Sequence, residues 1–227
     1  DGRCVVTGLK LFAIFVIFIA ACMGWVVLGG SIELRTNSSD LNGWQQVGSL
    51  WGTPQTQQAP TLSSEGSAAT IVSSDITADI SLEQRKKGLL WYATYVVDFD
   101  ATYGVRNTAD AARTVTIFLP FPAADGVYDG FAIVADGVEA PVTYKDGTAR
   151  ASFTVPAGET VRVNTGYRTQ GQDEWRYAPT QGVGVIDDFS LAVTTDFTDI
   201  DFPTDAVSPT QKNRTDSGWE LVWDYES

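Results

Sequence analysis

The chain has 227 residues, of which 44% are hydrophobic and 19% are charged, so it is long and apolar enough to fold around a core. Fifteen Lys and Arg residues stand against 28 Asp and Glu residues, which gives a net charge of −13. Such a charge repels phosphate backbones and argues against nucleic-acid binding. Histidine is absent, which excludes Ser-His-Asp and Cys-His nucleophile systems and H-E-x-x-H metal sites.

A long apolar segment lies near the start of the sequence. Residues 11–32 carry no charge between Lys10 and Glu33. As a helix they would span roughly 33 Å, enough to cross the hydrocarbon core of a bilayer. The sequence therefore predicts one transmembrane helix over residues 11–32.

The basic residues predict the orientation of this helix. Arg3 and Lys10 precede it and no basic cluster follows it, so the positive-inside rule places residues 1–10 in the cytoplasm. The remainder would then lie in the periplasm, anchored in a bacterial inner membrane. Without Arg3, Lys10 and Asp1, the chain carries 13 basic and 27 acidic residues, a net charge of −14 that disfavours contact with anionic headgroups.

A cleaved lipoprotein signal is the alternative, because Ile19-Ala20-Ala21-Cys22 resembles a lipoprotein cleavage box. Apolar sequence continues past Cys22 to Leu28, where a mature lipoprotein would turn polar, so an uncleaved anchor is favoured. Cys4 and Cys22 lie about 27 Å apart along a helix and cannot form a disulfide.

One face of the predicted helix carries small side chains. Ala13, Ala20 and Gly24 fall on a narrow stripe, and Ala20 and Gly24 have the small-x-x-x-small spacing that lets helices approach closely in lipid. This stripe is a candidate docking face for another membrane helix. The alternative is that Ala and Gly are simply common in membrane helices.

The composition and hydrophobic patterning of the chain change near residue 70. Residues 33–70 are rich in Ser, Thr, Gln, Asn and Gly and predict a polar linker. Residues 71–227 alternate short β-branched and aromatic runs with turns, and the clearest hairpin has Asp146-Gly147 at its turn. A single helical turn is predicted over Ser81–Gly88. The pattern predicts an antiparallel Greek-key β-sandwich of nine or ten strands, with a closed barrel as the runner-up.

Three stretches resemble the inner-membrane CreD family, which has an N-terminal membrane helix and a large periplasmic β-rich domain. They are Trp51-Gly52-Thr53-Pro54-Gln55-Thr56, the basic run and aromatic strand of residues 83–92, and the final strand of residues 218–225. The resemblance implies a role in envelope integrity and supplies no catalytic residues. That family continues into several further membrane helices, which this sequence does not contain.

Acidic and aromatic residues are the remaining candidates for a site. Acidic residues cluster at Asp187-Asp188 and over residues 196–205, and a calcium site there is the alternative to a solvated loop. Asp98 and Asp100 alternate with apolar residues and are predicted to point outward from a strand. An exposed aromatic patch could bind a partner protein or a sugar. Its candidate residues are Trp44, Trp51, Trp91 and Trp175.

Two classes of function follow. The first is a non-catalytic, single-pass accessory subunit of an inner-membrane assembly, respiratory or photosynthetic, with its partners bound through the helix and the periplasmic domain. The second is a membrane-tethered glycan-binding module. The sequence identifies no catalytic residue, no metal ligand and no cofactor, and an enzyme ranks third.

Overall fold

The structure, a computed structural model, describes residues 8–87, 90–179, 188–204 and 206–226. The chain forms two compact units, Asp1–Gln46 and Val47–Ser227. Helix α1 runs over Gly8–Trp51, and its segment Lys10–Glu33 is long and apolar enough to cross a membrane. A membrane anchor and a signal sequence both fit that description.

The helix extends well into the predicted polar linker of residues 33–70, so that prediction is wrong. Propagation explains the extension, because a helix once begun gains one hydrogen bond for each residue added. The helix ends at Trp51, where Gly52 adopts a φ of 105° and Pro54 follows, a frequent combination after the last helical turn. Strands begin at Gln55, so the β unit starts well before residue 71.

Sixteen strands lie within the described residues of the second unit, against the nine or ten predicted. In chain order they are β1 Gln55–Gln58, β2 Thr61–Ser64, β3 Ala69–Leu82, β4 Arg85–Lys87, β5 Leu90–Tyr92, β6 Thr94–Asn107, β7 Arg113–Pro120, β8 Tyr128–Ala135, β9 Val138–Glu139, β10 Val142–Lys145, β11 Thr148–Val155, β12 Thr160–Gln172, β13 Trp175–Ala178, β14 Phe189–Thr195, β15 Gln211–Arg214 and β16 Trp219–Tyr225.

These strands form one large sheet and three smaller ones. The large sheet has eight strands in the order β15-β16-β14-β3-β6-β12-β8-β9, and a second sheet has the order β10-β11-β7-β2. Two pairs, β1-β13 and β4-β5, stand apart. Strands β3 and β14 pair in parallel, as do β1 and β13, so the sheets are mixed and the fully antiparallel prediction is wrong. A mostly β unit with one apolar N-terminal helix is confirmed.

Local turn chemistry explains the hairpin between β10 and β11. Asp146 and Gly147 both have positive φ, 52° and 67°, as a two-residue type I′ turn requires. The turn prediction for Ser81–Gly88 is wrong within the described residues, because Ser81 and Leu82 end β3 and Arg85–Lys87 form β4. Gly88 lies outside the described residues.

Alternating side chains from both larger sheets build the core. Val105, Ile133 and Val163 of the eight-stranded sheet meet Ile117 and Ala149 of the four-stranded sheet in one buried cluster. The two sheets therefore pack against each other. A second cluster covers the rest of the inner face and contains the buried side chains Ile76, Phe99, Tyr103, Tyr167 and Leu191.

Candidate functional site

An open groove lies on the outer face of the eight-stranded sheet. Its volume is about 470 Å³. Four consecutive strands of the sheet line it, in the order β3, β6, β12 and β8. The polar side chains lining it are Asp75, Thr77, Asp98, Asp100, Thr102, Asp129 and Asn164. Because successive side chains of a strand point to opposite faces, the inner side chains of the same strands form the core. The groove is therefore built on a rigid base.

A glycine makes room for one carboxylate in this groove. Gly166 on β12 lies directly opposite Asp100 on β6. A Cβ atom at position 166 would lie 2.4 Å from Oδ1 of Asp100. The Asp100 side chain therefore rests over the backbone of β12, in space that any larger residue would fill.

Like charges face one another beside Asp100. Asp79 on β3 pairs directly with Asp98 on β6, and the hydroxyl of Thr194 donates a hydrogen bond to Asp79. Arg168 lies 3.3 Å from Asp98 in a salt bridge. Partial burial, followed by repulsion from Asp98 and Asp79, raises the pKa of Asp100 above its ordinary value of 3.8. The face favours a cationic neighbour over an anionic one.

Replacing Asp100 by asparagine should stabilise the fold at neutral pH. Since the folded pKa is raised, Asp100 destabilises the fold progressively as pH rises from 3.8 through that pKa. We expect Asp100→Asn to add roughly 0.5 kcal/mol to the free energy of unfolding at pH 7, the scale of one cross-strand charge pair. The gain should vanish below pH 3.8, as measured by denaturant unfolding across a pH series. Asp110→Asn, in an exposed loop, is the matched control, and an equal effect from it would contradict this account.

A hydrogen-bonded network of glutamine and tyrosine lies on the inner face of the same sheet. The hydroxyl of Tyr167 donates to Oε1 of Gln57 at 2.6 Å, and Nε2 of Gln57 donates to the carbonyl of Pro120 at 3.1 Å. The hydroxyls of Tyr103 and Tyr177 are 3.4 Å apart. Burial raises the pKa of Tyr177 to about 12 and raises those of Tyr103 and Tyr167 as well. These phenols stay protonated at neutral pH and serve as hydrogen-bond donors, not as bases.

The predicted helix stripe lies in α1. Ala13, Ala20 and Gly24 are exposed within the helical unit, and a Cβ at Gly24 would meet no atom within 4 Å. The stripe has open space beside Gly24, as a docking face requires. Its partner stays a prediction.

Two of the four predicted contact tryptophans have side chains that the structure describes. Trp44 and Trp51 lie in the helix, and their side chains are outside the described residues. Trp91 on β5 is 64% exposed. Trp175 on β13 packs, partly buried, against the core cluster that contains Phe99, and its contact role stays a prediction.

Carboxylates in the predicted acidic region of residues 196–205 accept hydrogen bonds from backbone amides. Oδ1 of Asp196 accepts a hydrogen bond from the amide of Leu82 at 2.8 Å, and Oδ1 of Asp201 accepts one from the amide of Phe202 at 2.9 Å. Asp187 and Asp205 lie outside the described residues. Among the residues that are described, no three Asp, Glu or Cys side chains are grouped so that they could hold a metal ion.

The groove itself was missed at the level of sequence. Asp98 is half-exposed and Asp100 is exposed, in agreement with the prediction that both point outward from their strand. Asp75 and Asp79 follow the same alternation on β3, and this signal was available in the sequence. What the sequence could not provide is that β3 lies beside β6 with Asp79 opposite Asp98.

Comparison with solved structures finds proteins similar to this chain. The chain is similar to a Legionella pneumophila protein described as a "putative nutrient binding protein", with a TM-score of 0.60 and 14% identity over 77% of this chain and 67% of that one. It is also similar to an M1 zinc metallopeptidase from Deinococcus radiodurans, with a TM-score of 0.44 and 12% identity over 71% of this chain and 40% of that one. The first similarity supports a common fold, and the second is too distant to carry an argument. No protein-family model and no curated protein matches the sequence.

Proposed function

We propose that this chain is a non-catalytic, single-pass membrane protein whose β unit is an accessory subunit of a bacterial inner-membrane assembly, on the periplasmic side. The observation that carries the proposal is the apolar segment of α1, in which every side chain from Lys10 to Glu33 is exposed. Exposing a surface of this kind to water costs roughly 25 cal/mol per Å² of apolar area. A bilayer, or a bilayer together with a neighbouring helix, removes that cost.

Three further points belong to this proposal. Arg3 and Lys10 support a cytoplasmic N-terminus by the positive-inside rule. Side chains of both larger sheets meet in one core, which supports a sandwich. We propose that its strands are connected as a Greek key. The lack of histidine and the raised pKa values of the buried tyrosines support a role without catalysis.

The helix stripe provides the test. Replacing Ala20 and Gly24 together by leucine adds bulk where a partner helix would approach, so recovery of co-purifying membrane proteins in mild detergent should fall about tenfold, the effect of losing about 1.4 kcal/mol of packing. Phe15→Leu with Val26→Leu changes side chains on the opposite face of the same helix and is the matched control. Quantitative mass spectrometry of the purified material measures the outcome. Equal recovery of the same proteins with both variants would mean that the helix is an anchor alone.

Two alternatives come from the β unit. A CreD-like role in envelope integrity rests on the sequence resemblance. A binding function rests on the outer groove and on the fold shared with the Legionella protein. The groove suits a cationic ligand better than a glycan, because its aromatic lining residues, Phe99 and Tyr167, are buried and offer no exposed ring for stacking.

A further inference from the structure

The hairpin of β4 and β5 concentrates positive charge and an exposed aromatic ring. Arg85, Lys86 and Lys87 are consecutive in the sequence. Arg85 forms a salt bridge with Glu83, and Lys86 pairs in register with Trp91. Nζ of Lys86 lies 5.6 Å from the centre of the Trp91 ring, and Trp91 is 64% exposed. The packing of the β unit leaves most of this indole uncovered.

In a second lysine–tryptophan pair, the indole is partly buried. Nζ of Lys212 lies 4.4 Å from the ring centre of Trp219 on the edge of the eight-stranded sheet. Trp219 packs against the core, and its Nε1 donates a hydrogen bond to the carbonyl of Thr198 at 2.9 Å. A lysine thus lies over both indoles, but the indole of Trp219 packs against the core whereas that of Trp91 is exposed to solvent.

The basic run of the hairpin is opposite in sign to the net charge of the chain. The chain beyond residue 10 carries a net charge of −14, and the outer face of the large sheet presents Asp75, Asp79, Asp98, Asp100 and Asp129. An anionic surface would repel that face and attract the hairpin. At the hairpin's own end of the β unit, Glu83 and Glu174 form salt bridges with Arg85 and Arg176, so that Lys86, beside Trp91, is the basic group that would attract an anionic surface.

The hairpin also lies where the chain enters the β unit from the helix. A Cβ at Gly52 would lie 2.2 Å from the carbonyl oxygen of Gln170, so the backbone of Gly52 touches the end of β12. At the same end of the sheet, the amide of Asp173 donates to the carbonyl of Ala93 at 3.0 Å, two residues after Trp91. The hairpin and the point where the chain enters belong to one end of the β unit.

We infer that the hairpin of β4 and β5 contacts an anionic lipid surface and so turns this end of the β unit toward the bilayer. Tryptophan favours the headgroup region because its ring is apolar and its N–H is polar, and basic residues beside it gain from anionic headgroups. This inference rests on the membrane anchor proposed above.

The test uses the full chain in lipid nanodiscs. Cys4 and Cys22 are replaced by alanine, and Gln84→Cys, an exposed position beside the basic run, carries an environment-sensitive fluorophore. Discs contain either phosphatidylcholine alone or a mixture with phosphatidylglycerol, each with headgroup spin-labelled lipid as the quencher. We expect quenching in the anionic discs that is lost at 1 M salt, where the Debye length falls to about 3 Å.

Variants of the hairpin separate its contribution. Lys86→Glu should lower the quenched fraction by about fivefold or more, since one basic charge near an anionic surface changes occupancy by about that factor. Trp91→Ser should lower it as well. The matched control is a label at Gln211→Cys, beside the covered Lys212–Trp219 pair, which should not be quenched in either disc.

Four results would overturn the inference. Equal quenching at position 84 in neutral and anionic discs would remove the anionic surface as the partner. If shielding of the label from the quencher increased with protein concentration, the hairpin would be contacting another protein surface and not lipid. Failure of the chain to enter discs at all would overturn the anchor and the hairpin contact together, whereas entry without quenching would overturn the hairpin contact alone.

Discussion

Replacing Phe99 by alanine is expected to lower the free energy of unfolding of the β unit by about 3–5 kcal/mol. Phe99 is 1% exposed at the centre of β6, and its ring stacks on Tyr167 with centres 4.9 Å apart. Truncation removes the transfer free energy of the ring and leaves a cavity that strands on both sides hold open. Urea unfolding of the chain in mild detergent, followed by near-ultraviolet circular dichroism, measures the loss.

Phe118→Ala is the matched control for Phe99. Phe118 lies half-buried on β7, with the guanidinium of Arg150 5.3 Å from its ring centre. Less area returns to water on truncation, so the loss should be under half of that for Phe99. Equal losses at the two positions would contradict the assignment of Phe99 to the centre of the core.

A methyl group at position 218 should be nearly as costly. Gly218 closes the turn between β15 and β16, where its amide donates to Oγ1 of Thr215 at 2.9 Å. A Cβ there would lie 1.9 Å from the carbonyl oxygen of Thr195, and a backbone atom of β14 cannot step aside as a side chain could. We expect Gly218→Ala to lower the free energy of unfolding by about 3 kcal/mol, at the upper end for overpacking.

The neighbouring Ser217→Ala substitution is the control for Gly218, because Ser217 is exposed in the same turn. It should change the free energy of unfolding by less than about 0.5 kcal/mol, as surface substitutions usually do. Thermal unfolding of the two variants side by side gives the comparison. A Gly218→Ala protein as stable as Ser217→Ala would show that β14 and this turn are not in close contact.

Local patterns in the sequence were enough for the elements that depend on local forces. The sequence predicts strands over Phe189–Thr195 and Trp219–Tyr225, and β14 and β16 have these bounds, because alternation and flanking turns determine them. The apolar helix could be predicted equally well, because residues 11–32 form an uncharged segment long enough to cross a bilayer. Its extension to Trp51 had signals that were overlooked, since Leu41, Trp44 and Val47 recur at helical spacing and Gly52 with Pro54 marks the end.

Long-range pairing set the limit of prediction. The parallel contact of β3 with β14 joins Ile76 to Leu191, and nothing in either strand specifies the other. Without that order, the acidic alternation on β3 and β6 could not be assembled into one groove. The position of Trp175 was unpredictable for the same reason, because its packing depends on where β13 lies against the large sheet.

The central claim is that the apolar helix stays attached and holds the β unit at a membrane. The most direct measurement is alkaline carbonate extraction of the membranes, followed by mass spectrometry of the retained chain. We predict that the chain resists extraction and yields a peptide continuous through Cys22, from Leu11 to Glu33. A chain released by carbonate, or one that begins at a lipid-modified Cys22, would contradict the claim.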